Sequence, residues 1–124
     1  MPVHLLVAED WRMLVWSRCV AFVLLLMPAS ASAQVIMSHN SRPANGMDVK
    51  ACMQRGSEVF RSERMRQFAT TEEGVWAWTA DGRYMTSVYC PSGRDTVVFS
   101  AAGAQGNVTH SLVDSMTKAW DRAR

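Results

Sequence analysis

The sequence predicts a two-layer α+β sandwich in which a three-stranded antiparallel meander is covered on one face by two helices, in the order α-β-β-β-α. Three observations carry that expectation. Apolar residues recur at three- and four-residue spacing from Met47 to Phe60, short strand-like runs separated by turns occupy Gly74 to Ser100, and a second helical stripe ends near Trp120. Two helices with one apolar stripe each can cover only one face of such a sheet.

The composition sets the outer bounds. The chain has 124 residues, 48% hydrophobic and 19% charged, which is the make-up of one globular domain and excludes wholesale disorder, collagen and a coiled coil. Thirteen Lys and Arg against eleven Asp and Glu leave a net charge of +2, so no nucleic-acid partner is expected on charge.

The first third of the chain has its own composition. Cys19 to Met27 is an unbroken apolar run, preceded by Arg18 and followed by Pro28 and the small residues up to Ala33. A basic residue, a short apolar core, a helix-breaking proline and Ala31 and Ala33 at A-x-A spacing together make residues 1–33 a secretory signal peptide, cleaved between Ala33 and Gln34. Glu9 and Asp10 are out of place ahead of such a core, and translation from Met13 would remove them. Cys19 stands at the start of the apolar run, so a lipid on it is not expected. The competing reading is an uncleaved anchor, because Cys19 to Met37 is uncharged over 19 residues, close to the ~20 that span a bilayer. Pro28 and the small residues after it weigh against that. Membrane association is expected only in the uncleaved case; otherwise the protein is periplasmic or secreted.

Removal of residues 1–33 leaves 91 residues, a domain size at which a staple is needed to supplement a small core. Cys52 and Cys90 are the two cysteines left, and in an oxidising compartment they are expected to pair; closing a loop of this length stabilises by about 3 to 4 kcal/mol in the chain-entropy model. There is no CxxC, and His39 and His110 have no spacing to the cysteines that would make a zinc site, so neither a metal nor another cofactor is expected.

Residues 34–46 are polar and turn-rich and read as a flexible leader to a disulfide-stapled domain over 47–122. In the first helix Val49, Cys52, Met53, Gly56, Val59 and Phe60 share a face, and Gly56 on that face implies a close approach of the helix backbone to its support. Arg61 to Arg66 reads as charged surface, with the helix finished by Phe68. Gly74 to Thr79 and Arg83 to Cys90 form a hairpin around Ala80-Asp81-Gly82, with Gly82 in the left-handed conformation of a three-residue loop. Pro91 to Gly93 make a second turn and Thr96 to Ser100 a third strand. The final helix starts near Asn107, its expected N-cap, with Val108, Leu112, Met116, Ala119 and Trp120 inward. Asn107-Val-Thr also fits a glycosylation acceptor.

A cysteine in the first helix, the run GVWAWTADGRYMTSVYC, a short VVF strand and a closing amphipathic helix resemble the small exported bacterial αβββα domains of unknown function. The similarity covers Asp48 to Trp120 and implies location and fold; the family offers no catalytic residues to carry over.

Few residues suggest chemistry. His110 and Asp114 lie one helical turn apart, the spacing at which a carboxylate orients an imidazole base, and make a small hydrolase the alternative function. Lys118 continues the same row, however, and a His-Asp-Lys ladder is ordinary surface pairing. Neither a G-x-S-x-G elbow nor a further histidine near them completes a triad. Arg55, Arg61, Arg64, Arg66 and Arg83 are interleaved with Glu58, Glu63, Glu72 and Glu73 and read as a solvated, salt-bridged face.

The principal expectation is therefore a non-catalytic binding or interaction module of the bacterial envelope, meeting an envelope or secreted protein or a second copy of itself. Its surface depends on the hairpin register. A three-residue loop puts Trp76 and Trp78 under the helices with Val88 and Cys90, and leaves Val75, Ala77, Thr79, Arg83, Met85, Ser87 and Tyr89 on the open face with Met85 and Tyr89 as anchors. A two-residue loop inverts every side chain and makes Trp76, Trp78, Met85 and Tyr89 one exposed patch. The three-residue loop is the favoured register.

Overall fold

A computed structural model describes residues 33–123, so the signal peptide, its alternative start at Met13 and the anchor reading of Cys19 lie outside the described residues. The domain is α+β, but it has five strands where three were expected. The order is β1 (Ile36–Pro43), α1 (Val49–Ser62), β2 (Arg66–Thr70), β3 (Gly74–Trp78), β4 (Met85–Tyr89), β5 (Thr96–Gly103) and α2 (Gly106–Arg122). All pairings are antiparallel, and the strands lie side by side as β1-β5-β4-β3-β2.

Both added strands are edges. The stretch expected as a flexible leader is β1, which pairs along its whole length with β5 from Ile36 opposite Gly103 to Pro43 opposite Thr96. Its proline sits where an edge strand tolerates a missing N–H. The charged stretch expected as surface runs into β2, paired with β3 through an irregularity between Gln67 and Ala69. The expected α-β-β-β-α order is therefore incorrect: one strand precedes the first helix and four lie between the two helices.

Local chemistry sets the helix ends. Asp48 caps α1 by accepting a hydrogen bond from the Ala51 N–H at 2.7 Å. At the other end Arg64 takes a left-handed conformation (φ 57°) and the Met65 N–H reaches back to the Phe60 carbonyl at 2.8 Å, which turns the chain sharply into β2. In α2 the N-cap is Gln105 and makes no side-chain cap, so Asn107 lies inside the helix and does not cap it.

The helices share one face of the sheet. Cys52, Gly56, Val59 and Phe60 of α1 are buried, and a Cβ at Gly56 would stand 2.9 Å from Cγ1 of Val88 and 3.1 Å from Cγ2 of Val75. The close approach anticipated from Gly56 is therefore present, with backbone laid against the two central strands. From α2, Trp120 meets Phe99 of β5 edge to face at 5.5 Å between ring centroids, and the Thr109 hydroxyl bonds that of Ser38 on β1 at 2.7 Å. The inward stripe of α2 contains Thr109, Val113, Met116, Thr117, Ala119 and Trp120, with Val108 and Leu112 only half-buried. Two buried threonines are tolerated there because each hydroxyl donates to a carbonyl three residues back, Thr109 to Gly106 and Thr117 to Asp114.

Cys52 and Cys90 are joined, with a Cα–Cα distance of 6.2 Å. Cys52 lies near the start of α1 and Cys90 follows the last residue of β4, so the disulfide ties the helical layer to the centre of the sheet. Both cysteines are buried.

Candidate functional site

The register of the β3–β4 hairpin decides what the domain shows to its surroundings. Trp78 pairs with Met85, Ala77 with Thr86, Trp76 with Ser87 and Val75 with Val88. The pairing continues one step beyond the strands, where the Thr79 N–H donates to the Tyr84 carbonyl at 3.0 Å, leaving Ala80 to Arg83 as a four-residue connection. The favoured three-residue loop is thus incorrect, and an even-numbered loop puts the side chains in the alternative parity. Gly82 does take positive φ (70°), as expected. The extra residue is accommodated by side-chain chemistry: the Thr79 hydroxyl donates to Oδ1 of Asp81 at 2.6 Å, the Arg83 N–H donates to the same oxygen at 3.1 Å, and the Tyr84 N–H donates to the Thr79 hydroxyl at 3.2 Å. These bonds, Thr79 first and Arg83 second, hold the Asp81 carboxyl below its usual range.

Val75 and Ala77, expected on the open face, are accordingly core residues, each no more than 1% exposed. The open face carries Trp76 and Trp78 of β3 beside Met85, Ser87 and Tyr89 of β4. Trp78 is 38% exposed and Tyr89 40%. All four candidate anchors, the favoured Met85 and Tyr89 and the alternative Trp76 and Trp78, therefore share one surface. The sequence reading did not include Phe68 of β2, which stacks on Trp78 with centroids 5.3 Å apart and extends the aromatic row to the sheet edge. Its signal was weak, a lone aromatic among charged residues.

Two features fix this surface in place. A Cβ at Gly74 would be 2.9 Å from Cζ3 and Cη2 of Trp76, so the indole seats on bare backbone where only glycine leaves room. Tyr89 is tethered through its hydroxyl, which donates to Oε2 of Glu73 at 2.7 Å. The other oxygen of Glu73 accepts from the Ser92 N–H at 3.0 Å and also from the Ser92 hydroxyl. The Tyr89 hydroxyl first, and the Ser92 backbone second, hold the Glu73 carboxyl below its ordinary range, and the same bond pushes the Tyr89 phenol up.

Beyond β4 the face changes character. Ser87 and Ser100 join their hydroxyls across β4 and β5, and Val98 and Ala102 continue β5 on either side. On β1, His39 lies opposite Ser100 and Met37 opposite Ala102. The open face is thus aromatic on its β2–β3 side, carries small and hydroxyl side chains on β5, and ends in Met37, His39 and Ser41 at the β1 edge.

The alternative catalytic pair is not assembled into a site. His110 and Asp114 are both exposed, and Asp114 is engaged by Lys118 at 2.7 Å, which is the first cause of its lowered pKa. The nearby Ser115 hydroxyl is taken by Glu63. Among the described residues no hydrogen bond joins His110 to Asp114 or to a nucleophile, and no cluster of three or more His, Cys, Asp or Glu is placed to hold a metal.

The arginine-rich face also differs from expectation. The ion pairs among the described residues are Arg42–Asp121, Lys118–Asp114 and Arg122–Glu63, none of them within the Arg55 to Arg83 group. Arg55 points inward instead. Its guanidinium lies 4.5 Å from the centroid of Trp120 and donates to the Trp120 carbonyl at 2.6 Å, so a cation–π contact and the negative end of α2 together hold the charge. No family model matches the chain, and no curated protein matches it.

Proposed function

We propose that this protein is an exported, non-catalytic interaction module that docks another protein through the open face of its sheet. The observation that supports this most directly is the grouping of Phe68, Trp76, Trp78, Met85 and Tyr89 on a face that neither helix covers. Aromatic and methionine side chains supply a large share of contact area at protein interfaces, and a contiguous group of them on a small monomer marks a surface used for binding. Export is supported by the signal-like residues 1–33 and by the Cys52–Cys90 disulfide, a bond that persists in oxidising compartments. Under this reading the mature protein begins at Gln34 and works in the periplasm or outside the cell.

Replacement of Met85 by Ser and Tyr89 by Lys tests the docking surface. The double variant is expected to lose the complex seen with the wild-type protein on native gels of envelope extracts while its unfolding midpoint moves little. A variant that keeps the complex, or one that unfolds, contradicts the reading. N-terminal sequencing of the exported protein tests the export half, with Gln34 as the expected first residue and a membrane-bound form retaining Cys19 as the contrary outcome.

A further inference from the structure

We infer that the partner on the open face is a second copy of this chain, packed sheet against sheet about a two-fold axis that runs along β4 beside Ser87. The inference rests on the reading of that face as a docking surface and adds its occupant. Its ground is the asymmetry of relief across the central strand.

On one side of β4 stand Phe68, Trp76 and Trp78; on the other lie Val98, Ser100 and Ala102 of β5, with Met37, His39 and Ser41 of β1 beyond them at the sheet edge. The registers place these residues in rows across the sheet. Trp78, Met85 and Ala102 form one row, and Trp76, Ser87 and Ser100 the next. A half-turn about an axis along β4 keeps the rows and exchanges the two halves. Trp78 of each copy then falls over Ala102 of the other, and Trp76 over Ser100, so both indoles meet short side chains, while Met85 and Tyr89 meet their own copies on the axis and the β2 edge falls over Met37. Such interdigitation is how two sheets pack in an aligned sandwich, about 10 Å apart.

The charge of the face agrees with that occupant. The middle three strands of the face carry no ionised group, and Arg66 of β2 and His39 of β1 stand at its two margins, opposite Trp78 and Ser100. A two-fold contact brings each patch against itself, so it needs a surface without like-charge repulsion. An acidic or basic partner would find no complementary charge here. The size is adequate too: five strands at ~4.8 Å and five to eight residues at ~3.3 Å give a face of roughly 500 Å² in plan, which side-chain relief raises toward the ~800 Å² per partner of a stable interface.

A photo-crosslinking residue in place of Met85, in the full chain expressed in its own envelope, is expected to give a covalent product of twice the chain mass. A product containing a different protein overturns the second copy and keeps the docking reading. No product overturns both. Sedimentation of the protein recovered from the envelope supplies the geometric test. Ala102→Trp puts an indole where Trp78 must enter, and Trp78→Ala removes it; each variant alone is expected to weaken self-association by about tenfold or more. An equimolar mixture of the two is expected to recover it, because the added indole of one fills the space vacated in the other. Wild-type protein that stays monomeric up to about 100 μM, or single variants whose mixture shows no recovery, overturns the inference.

Discussion

Trp120 and Trp78 are the same side chain on opposite faces of one sheet. Trp120 is 1% exposed, edge-on to Phe99 and covered by the Arg55 guanidinium, whereas Trp78 is 38% exposed and stacks on Phe68 at the margin of the fold. The helical face is closed by shape: a glycine where α1 meets Val75 and Val88, threonines whose hydroxyls are satisfied within α2, and a disulfide from helix to sheet. The open face is also ordered, through Gly74 under Trp76 and Glu73 on Tyr89, but nothing within the described residues covers it. One face therefore holds the free energy of folding and the other is held ready by it.

The sharpest way to break this contrast is to remove one tryptophan from each face. Trp120→Ala is expected to cost about 3 to 5 kcal/mol by equilibrium denaturation, since it empties a closed site and leaves Arg55 without its aromatic cover. Trp78→Ala, measured on dilute protein, is expected to cost no more than the ~0.5 to 1.5 kcal/mol of an aromatic pair. Equal costs would mean that the two faces do not divide the work as described.

The disulfide comes next in size. Replacing Cys52 and Cys90 together by Ser is expected to destabilise by about 2 to 5 kcal/mol, with no free thiol titrating in the unreduced native protein. Two reactive thiols in the native protein would contradict the pairing.

A smaller effect sharpens the argument from close packing. Gly56→Ala forces a methyl group against Val88 and is expected to cost about 1 to 3 kcal/mol despite the better helix propensity of alanine. Trimming Val88 to Ala in the same chain should recover part of the loss. A stabilised Gly56→Ala protein would show that α1 has room to move outward.

The least effect belongs to the exposed tether on the open face. The Glu73 pKa is lowered from 4.5, so the stability it contributes is present above that value and is lost as pH falls through the folded-state pKa. The Tyr89 pKa is raised from 10.0, so its share is present below that value and is lost as pH rises through the folded-state pKa. The stability difference between wild type and Glu73→Gln should therefore appear at neutral pH and vanish in acid. A difference unchanged across the acid range would remove the tether from the account.

Residues with a strong pattern were legible in the sequence. The α1 stripe, the two hairpin strands and the Gly82 conformation follow from spacing, because each is governed by neighbours in the chain; the Gly56 contact follows from a glycine on an apolar stripe, and the cysteine pair from there being two cysteines after residue 33. The edge strands were not. The stretch Ser38 to Pro43 has no apolar alternation, since an edge strand is wet along one side and its inward positions meet polar partners along α2, Ser38 on Thr109 near its start and Arg42 on Asp121 near its end. In β2 the flanking arginines hid Phe68, whose ring is exposed and finds its partner across the sheet. The hairpin parity turned on one loop residue, fixed by the Thr79 and Asp81 side chains rather than by the glycine. The patch followed that parity: its four residues were recognisable, but which side of the sheet they occupied was a matter of a single hydrogen-bonded step.

The pairing of β1 with β5 also governs when the domain can close. Ile36 meets Gly103 and Pro43 meets Thr96, so the first strand of the sheet has its only neighbour in the last. Everything between them must be in place, or at least looped out, before β1 gains a partner, and such distant pairings are slow to form. During synthesis the leading end of the domain therefore stays unpaired until β5 has emerged from the ribosome. A chain arranged in this way stays open for most of its synthesis and locks only at the end, when α2 arrives to cover the seam between β1 and β5.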